Sequence, residues 1–76
     1  MVRAYIMIKA NTGEADRLKN DVETLNGVES VHIVAGDVDL IATVEVDEPA
    51  DVKEIATGGI QTIAGVEDTR TYIAMD

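Results

Sequence analysis

The residues best suited to chemistry in this 76-residue chain gather in two short stretches. One is the turn sequence Ala35-Gly36-Asp37-Val38-Asp39-Leu40, and the other holds Thr69 and Thr71 near the carboxyl end. Carboxylates accept hydrogen bonds from an ammonium group, whereas backbone amides and hydroxyls bind a carboxylate. Because a free amino acid carries both charges, these residues predict a small-molecule site. Two simpler interpretations stay open, a plain hairpin turn for the first stretch and strand propensity for the threonines.

Patterns typical of catalysis or metal binding are absent from the sequence. His32 is the one histidine, and Ser30 lies two residues away, about 7 Å along a strand, which is too far for direct activation. There is no cysteine, and the Asp37-Val38-Asp39 triplet lacks the further oxygen ligands of a calcium loop. No phosphate-binding glycine motif occurs. The sequence therefore predicts a binding module that is not an enzyme and holds no metal and no cofactor.

The charge balance bears on partners and on the cellular setting. Fifteen acidic residues face six basic ones, a formal net charge of −9, and such a surface repels nucleic-acid phosphates. The acids are spread along the chain, a composition typical of archaeal proteins from a halophilic cytoplasm or of an ordinary acidic protein. No secretion signal and no apolar run near 18 residues is present. We expect a cytoplasmic protein with no direct nucleic-acid contact and no membrane association.

Hydrophobic periodicity predicts the elements that must position these residues. Alternation predicts strands, and apolar residues three and four apart predict two helices, the first capped by Thr12 and ended by Asn26-Gly27. The predicted order is strand Val2–Lys9, helix Glu14–Leu25, strand Val28–Ala35, strand Leu40–Val46, helix Asp47–Ala64 and strand Val66–Met75. Proline suits the first helical turn at position 49, and Thr57-Gly58-Gly59 predicts a bend or a close packing contact within the second helix.

The two halves of the chain resemble each other at an offset of 38 residues. Gly27-Val28-Glu29 matches Gly65-Val66-Glu67, and each half reads strand–helix–strand. A duplicated unit of this kind joined by a central hairpin predicts an α+β, ferredoxin-like β-α-β-β-α-β fold. Right-handed crossovers then place two helices on one face of a four-stranded antiparallel sheet, with the first and third strands in its centre.

That arrangement leaves the opposite sheet face without cover. The face is predicted to carry five apolar or aromatic residues, Tyr5, Met7, Val34, Ile41 and Tyr72. A chain this short buries only a modest core of its own, so a partner subunit is the economical source of further buried area. We expect a homodimer formed sheet to sheet, of the dimeric α/β-barrel type.

Three motifs give the chain a family resemblance. They are Gly27-Val28, the Gly-x-x-Asp-Leu pattern of Gly36-Asp37-Val38-Asp39-Leu40, and Ile63-Ala64-Gly65-Val66 followed by Thr69-x-Thr71. Over residues 1–76 the chain resembles a single effector-binding domain of the Lrp/AsnC (feast/famine) transcription regulators, also called the RAM domain. Because this sequence has no helix-turn-helix before Met1, we expect a stand-alone effector domain without a DNA-binding domain.

The resemblance implies sheet-to-sheet dimers, often joined as a tetramer of dimers (an octamer), that bind an amino-acid effector between dimers near the turn. By motif match it assigns ligand binding to Gly36, Asp39, Thr69 and Thr71, with Asp37 and Val38 at variable positions. It implies a sensor of a small amino acid in transcription regulation that modulates full-length Lrp/AsnC regulators. The predicted exposure of the turn implies that Asp39→Ala weakens binding and leaves the fold intact.

Three alternatives to this function stay open. A small dimeric α/β-barrel enzyme, monooxygenase-like or heme-degrading, needs a pocket between sheet and helices into which His32 or Tyr5 points. An ACT-like regulatory subunit has the same order of elements and also binds amino acids. A purely structural oligomer binds no ligand, so ligand effects on stability distinguish it from the sensor.

Overall fold

Two β-α-β units, joined by a central hairpin, make up the computed structural model, which describes residues 1–76. The elements are β1 (Val2–Ala10), α1 (Ala15–Glu23), β2 (Val28–Ile33), β3 (Leu40–Val46), α2 (Pro49–Lys53), a π-helical turn (Glu54–Gly59), a 3₁₀ turn (Ile60–Thr62) and β4 (Val66–Ile73). The strands form one antiparallel sheet in the order β2-β3-β1-β4. The predicted α+β, ferredoxin-like order and the central position of the first and third strands are confirmed.

The core lies between the sheet and its helices. It consists of apolar side chains alone, and no polar side chain is buried. The buried residues are Ala4, Ile6, Ile8, Leu18, Val22, Val31, Leu40, Ala42, Val44, Val52, Ala56 and Ile60. On β1 and β3 they are alternate residues, so each of these strands turns its intervening side chains to the opposite face. No helix is long and apolar enough to span a bilayer.

The start of the first helix differs from the prediction. Glu14, and not Thr12, occupies the N-cap position, and no side chain caps the helix. Backbone contacts hold this segment, since the Glu14 N–H donates to the Asn11 carbonyl and the Asn11 N–H donates to the Gly65 carbonyl. The Thr12 prediction was wrong, because a local turn closed by the bond from Glu14 to Asn11, and the long-range bond from Asn11 to Gly65, hold the chain up to Glu14.

The second helical segment is more irregular than predicted. Pro49 begins α2, as expected, and Glu48 and Asp51 form a reciprocal capping box ahead of it. The predicted disturbance at Thr57-Gly58-Gly59 is confirmed as the end of the π-helical turn. It is also a close contact, because a Cβ placed on Gly59 would lie 3.1 Å from Leu25 Cδ1. The single helix expected up to Ala64 is therefore divided into α, π and 3₁₀ parts.

Two strands end earlier than predicted. β2 stops at Ile33 and not at Ala35, because Ile33 pairs with Leu40 and the chain then leaves the ladder to form the hairpin connection. β4 stops at Ile73, which pairs with Ala4, and not at Met75. Beyond Ile73 the Ala74 N–H still donates to the Arg3 carbonyl, although β1 continues to Val2. The first correction follows from where the neighbouring strand β3 begins, at Leu40.

Candidate ligand site on the open sheet face

The sheet side that faces away from the helices, here called the open face, carries the candidate site. Cross-strand pairs place Tyr5 between Thr43 and Tyr72, and Met7 between Ile41 and Arg70. Tyr5, Met7, Val34 and Ile41 are half-buried, and Tyr72 is 54% exposed. The uncovered apolar patch that the sequence predicts is therefore present on the open face of the single chain, and charged residues flank it.

At one end of the open face, the connection between β2 and β3 borders a groove of about 770 Å³, here called the open-face groove. Its lining residues are Met7, Lys9, Gly36, Asp37, Val38, Glu67, Asp68, Thr69, Arg70 and Tyr72. They come from the turn, from the end of β1 and from the first part of β4, which are brought together by the pairing of Lys9 with Asp68 and of Met7 with Arg70. The groove is within the size range of small-molecule sites.

The groove contains two cationic side chains that form no ion pair within the chain. Of the six basic residues, Arg3, Arg17 and Lys19 form ion pairs. The Glu45 hydrogen bond, a Tyr5 contact and the charge of Glu29 raise the pKa of Arg3, which stays protonated. Lys9 and Arg70 form no ion pair, and both line the open-face groove. The groove can therefore offer two charged donors to a carboxylate.

The turn adds backbone donors to these charges. The Val34 N–H donates to the Asp39 carbonyl (2.8 Å) and the Asp39 N–H donates to the Ile8 carbonyl (2.9 Å), which fixes the two ends of the turn. The N–H groups of Gly36, Asp37 and Val38 donate no hydrogen bond within the chain. Free amides beside cations are the donors that an anionic group requires, and the exposed Asp37 carboxylate supplies an acceptor for an ammonium.

Asp39 performs a structural task in the folded chain. Its Oδ2 accepts a hydrogen bond from the Ala10 N–H (2.8 Å), the side chain is half-buried, and it does not line the open-face groove. The carboxylate thereby fastens the turn to the end of β1. Its predicted ligand contact remains a prediction, and one of its two oxygens is already occupied.

We expect Asp39→Ala to lower the free energy of unfolding by about 1–2 kcal/mol, because the partly buried Ala10 N–H loses its charged acceptor. Asp39→Asn keeps an acceptor oxygen and should lose less. Urea denaturation of the two variants measures the difference. Equal stability of Asp39→Ala and the parent chain would show that water replaces the carboxylate without cost.

The two threonines lie on the helix side of β4. Thr69 pairs with Ile8 and Thr71 with Ile6, whose side chains are buried in the core. Thr69 borders the open-face groove and also a second groove on the helix side, and it accepts a hydrogen bond from Gln61 Nε2 (2.8 Å). Thr71 lines the second groove and not the open-face groove. The structure therefore brings Gly36, Asp37, Val38 and Thr69 together within one chain, and places Asp39 and Thr71 outside that groove.

Six of the groove residues were not assigned to the site from the sequence, namely Met7, Lys9, Glu67, Asp68, Arg70 and Tyr72. Alternation with buried neighbours already assigned Met7 and Lys9 of β1 to this face, and alternation along β4 did the same for Arg70 and Tyr72. Their closeness to the turn depends on the strand register, which one sequence does not provide.

The geometry required by the enzyme alternative is not found in the chain. Tyr5 and His32 lie in strand positions that face the open side, opposite Thr43 and Ile41. Aliphatic side chains fill the centre of the layer between sheet and helices, and neither Tyr5 nor His32 lines the groove at its β4 edge. No group of three histidine or acidic side chains converges as metal ligands would.

Comparison with known proteins agrees with the fold and the motifs. The model of the Lrp/AsnC ligand binding domain matches residues 3–76. The leucine-responsive regulatory protein of Escherichia coli K12 is 27% identical over 75 residues, which are 95% of this chain and 46% of that protein. The chain thus spans about half the length of the curated relatives it matches.

Solved structures of similar fold agree with the family match. A crystal structure of a protein from Thermus thermophilus superposes with a TM-score of 0.96 at 29% identity, covering 100% of this chain and 95% of that one. The Mycobacterium tuberculosis feast or famine regulatory protein, complexed with L-methionine, has a TM-score of 0.81 at 24% identity and covers 100% of this chain and 51% of its own. The latter likeness shows a shared fold. Because the family model matches residues 3–76 of the 76 residues, this chain belongs to the Lrp/AsnC ligand-binding domain family.

Proposed function

We propose that this chain is an amino-acid-sensing domain of Lrp/AsnC-type transcription regulation and that the open-face groove binds the effector. The observation that carries the proposal is the convergence of Lys9, Arg70 and the free turn amides on one groove. The leucine response named for the E. coli relative and the L-methionine bound to the M. tuberculosis protein support an amino acid as the ligand class.

The charges of the groove suit a zwitterion better than a simple anion. Lys9, Arg70 and the amides of residues 36–38 would hold the α-carboxylate, and the Asp37 and Asp68 carboxylates would hold the α-ammonium. Met7 and Tyr72 offer apolar surface to a side chain. The space beside Gly36 is open, because no other atom of the chain lies within 4 Å of where a Cβ would be.

We further propose that two chains associate through their open faces. The face joins half-buried apolar residues at its centre, Tyr5, Met7 and Ile41, to charged residues at its border, the pattern of a protein–protein interface. The open-face groove lies on the same side of the sheet, so a second chain would help to enclose the ligand. The proposal extends to larger rings formed by several such dimers, and to mixed assemblies of this chain with full-length regulators.

Thermal unfolding with each of the twenty amino acids, at high salt to screen the net charge of −9, tests the sensor function. An effector at ten times its dissociation constant adds about 1.4 kcal/mol, which raises Tm by about 5–10 °C in a domain of this size. No Tm change with any amino acid at millimolar concentration would contradict amino-acid binding and favour a structural oligomer.

Arg70→Gln is the site variant for the same measurement. We expect it to remove most of the Tm rise, because the effector carboxylate loses a charged donor. Lys19→Gln removes an equal charge from an exposed ion pair with Glu23 on α1, away from the groove, and should keep the rise. An equal loss in both variants would mean that net charge alone, and not the groove, determines binding.

A further inference from the structure

A second groove, of about 320 Å³, runs between β4 and the second helical segment on the helix side of the sheet, and is here called the β4–α2 groove. It is lined by Pro49, Val52, Lys53, Ala56, Thr57, Gln61, Thr69, Thr71 and Ile73. Val52 and Ala56 are nearly fully buried and provide an apolar floor, while Ile73 is 41% exposed. The groove is about the size of a small-molecule site.

The charge of this groove is opposite to that of the chain. None of its nine lining residues is acidic, although the chain has fifteen acids. The open-face groove has three acidic lining residues, and a third concavity beside Gly27 has four. Lys53 is exposed and forms no ion pair, so its ammonium is free to meet an anion. The β4–α2 groove is thus the one concavity of the three whose lining is net positive.

The polar side chains of the groove retain donors. The Thr71 hydroxyl makes no hydrogen bond in the chain, and Gln61 uses one amide N–H on Thr69 Oγ1 (2.8 Å) and keeps the other. The Thr57 hydroxyl donates to the Lys53 carbonyl (2.7 Å). A carboxylate in the groove would therefore find the Lys53 ammonium and the Thr71 hydroxyl as donors, above an apolar floor.

The backbone around the groove is also unusual. Ala56 and Thr57 belong to the π-helical turn, a rare conformation that is frequent at functional sites. In this chain the wider turn forms one wall of the groove, and β4, an edge strand of the sheet, forms the opposite wall. The irregular backbone and the unneutralised lysine are independent observations that point to the same place.

We propose that the β4–α2 groove is a second ligand site, which takes a short aliphatic carboxylate without an ammonium group, such as a branched 2-oxo acid. An amino acid fits poorly, because no carboxylate is present to receive its ammonium and Lys53 repels that charge. The floor formed by Val52 and Ala56 accepts the aliphatic part. This site does not depend on amino-acid binding in the open-face groove.

The test uses two ligands with the same carbon skeleton, 4-methyl-2-oxopentanoate and leucine, titrated by calorimetry and by amide chemical shifts in NMR. We expect the oxo acid to shift residues 52–57 and 69–73, and Lys53→Gln to weaken its binding about tenfold by loss of the charged hydrogen bond. Thr71→Val should weaken it less. Lys19→Gln, which removes an equal charge on α1, should leave the affinity unchanged.

Three results would overturn the site. The first is that the oxo acid does not bind at millimolar concentration. The second is that an equal concentration of sulfate displaces the bound oxo acid. The third is that Arg70→Gln loses oxo-acid binding while Lys53→Gln retains it. The last result would move the ligand to the open-face groove. Because the amino-acid response is measured on Arg70, each of the two sites can fail without the other.

Discussion

Ile41→Glu is expected to convert the assembled protein into monomers. Ile41 is half-buried on the open face, between Met7 of β1 and His32 of β2, at the centre of the proposed contact between two sheets. A glutamate there would bury a carboxylate without a partner at the interface, which costs several kcal/mol. The dissociation constant should rise by at least about 100-fold, the equivalent of about 2.7 kcal/mol.

Sedimentation equilibrium over a range of concentrations, in high salt, measures this change. Asn20→Glu adds the same charge at an exposed position of α1 and should leave the assembly intact. Tyr72→Glu places the charge at a residue that is 54% exposed in the single chain, so it changes the face without entering the core. Dimers of undiminished affinity in both Ile41→Glu and Tyr72→Glu would show that the chains do not meet through the open face.

Gly27→Ala should be the most destabilising of the glycine substitutions in this chain. Gly27 has a φ of +94°, and an added Cβ would lie 2.7 Å from Ile55 Cδ1 and 2.9 Å from Val46 Cγ1. The left-handed conformation costs alanine about 1–2 kcal/mol. Overpacking against the two branched side chains costs about 1–3 kcal/mol more. We expect a loss of about 2–5 kcal/mol, a large share of the stability of a small domain.

Gly13→Ala is the matched control for this substitution. Gly13 has a φ of +82°, and nothing lies within 4 Å of the Cβ it would gain, so it shares the conformational cost and avoids the overpacking. Urea denaturation of both variants separates the two contributions. An equal loss of stability in the two variants would mean that Ile55 and Val46 move aside freely.

The order of the elements and the fold class followed from the sequence by itself. Alternation in residues 2–9 and 40–46 assigned each side chain to a face, because successive strand residues point to opposite sides whatever the strand pairs with. The 38-residue repeat, with glycines at 27 and 65, predicted two equivalent β-α-β units, and both glycines have positive φ. These features are local in the chain or repeated along it, so they can be identified from the sequence without knowledge of the tertiary contacts.

The composition of the candidate site was decided by the tertiary structure. Thr69 and Thr71 were joined to the turn by their hydroxyl chemistry and by the family resemblance, yet the register of β4 against β1 places Thr71 beside α2. The same register carries Arg70 and Lys9 to the turn, where neither was expected.

Interactions between distant segments account for the other differences. The hydrogen bond from the Ala10 N–H takes one oxygen of Asp39, a residue 29 positions away. The turn that precedes the helix start at Ala15 is joined to the other half of the chain by the bond from the Asn11 N–H to the Gly65 carbonyl. The sequence specified which face each residue occupies through periods of about 2.0 and 3.6 residues. Only the folded chain decided which residues of that face meet, because strand register and backbone hydrogen bonds join residues far apart in sequence.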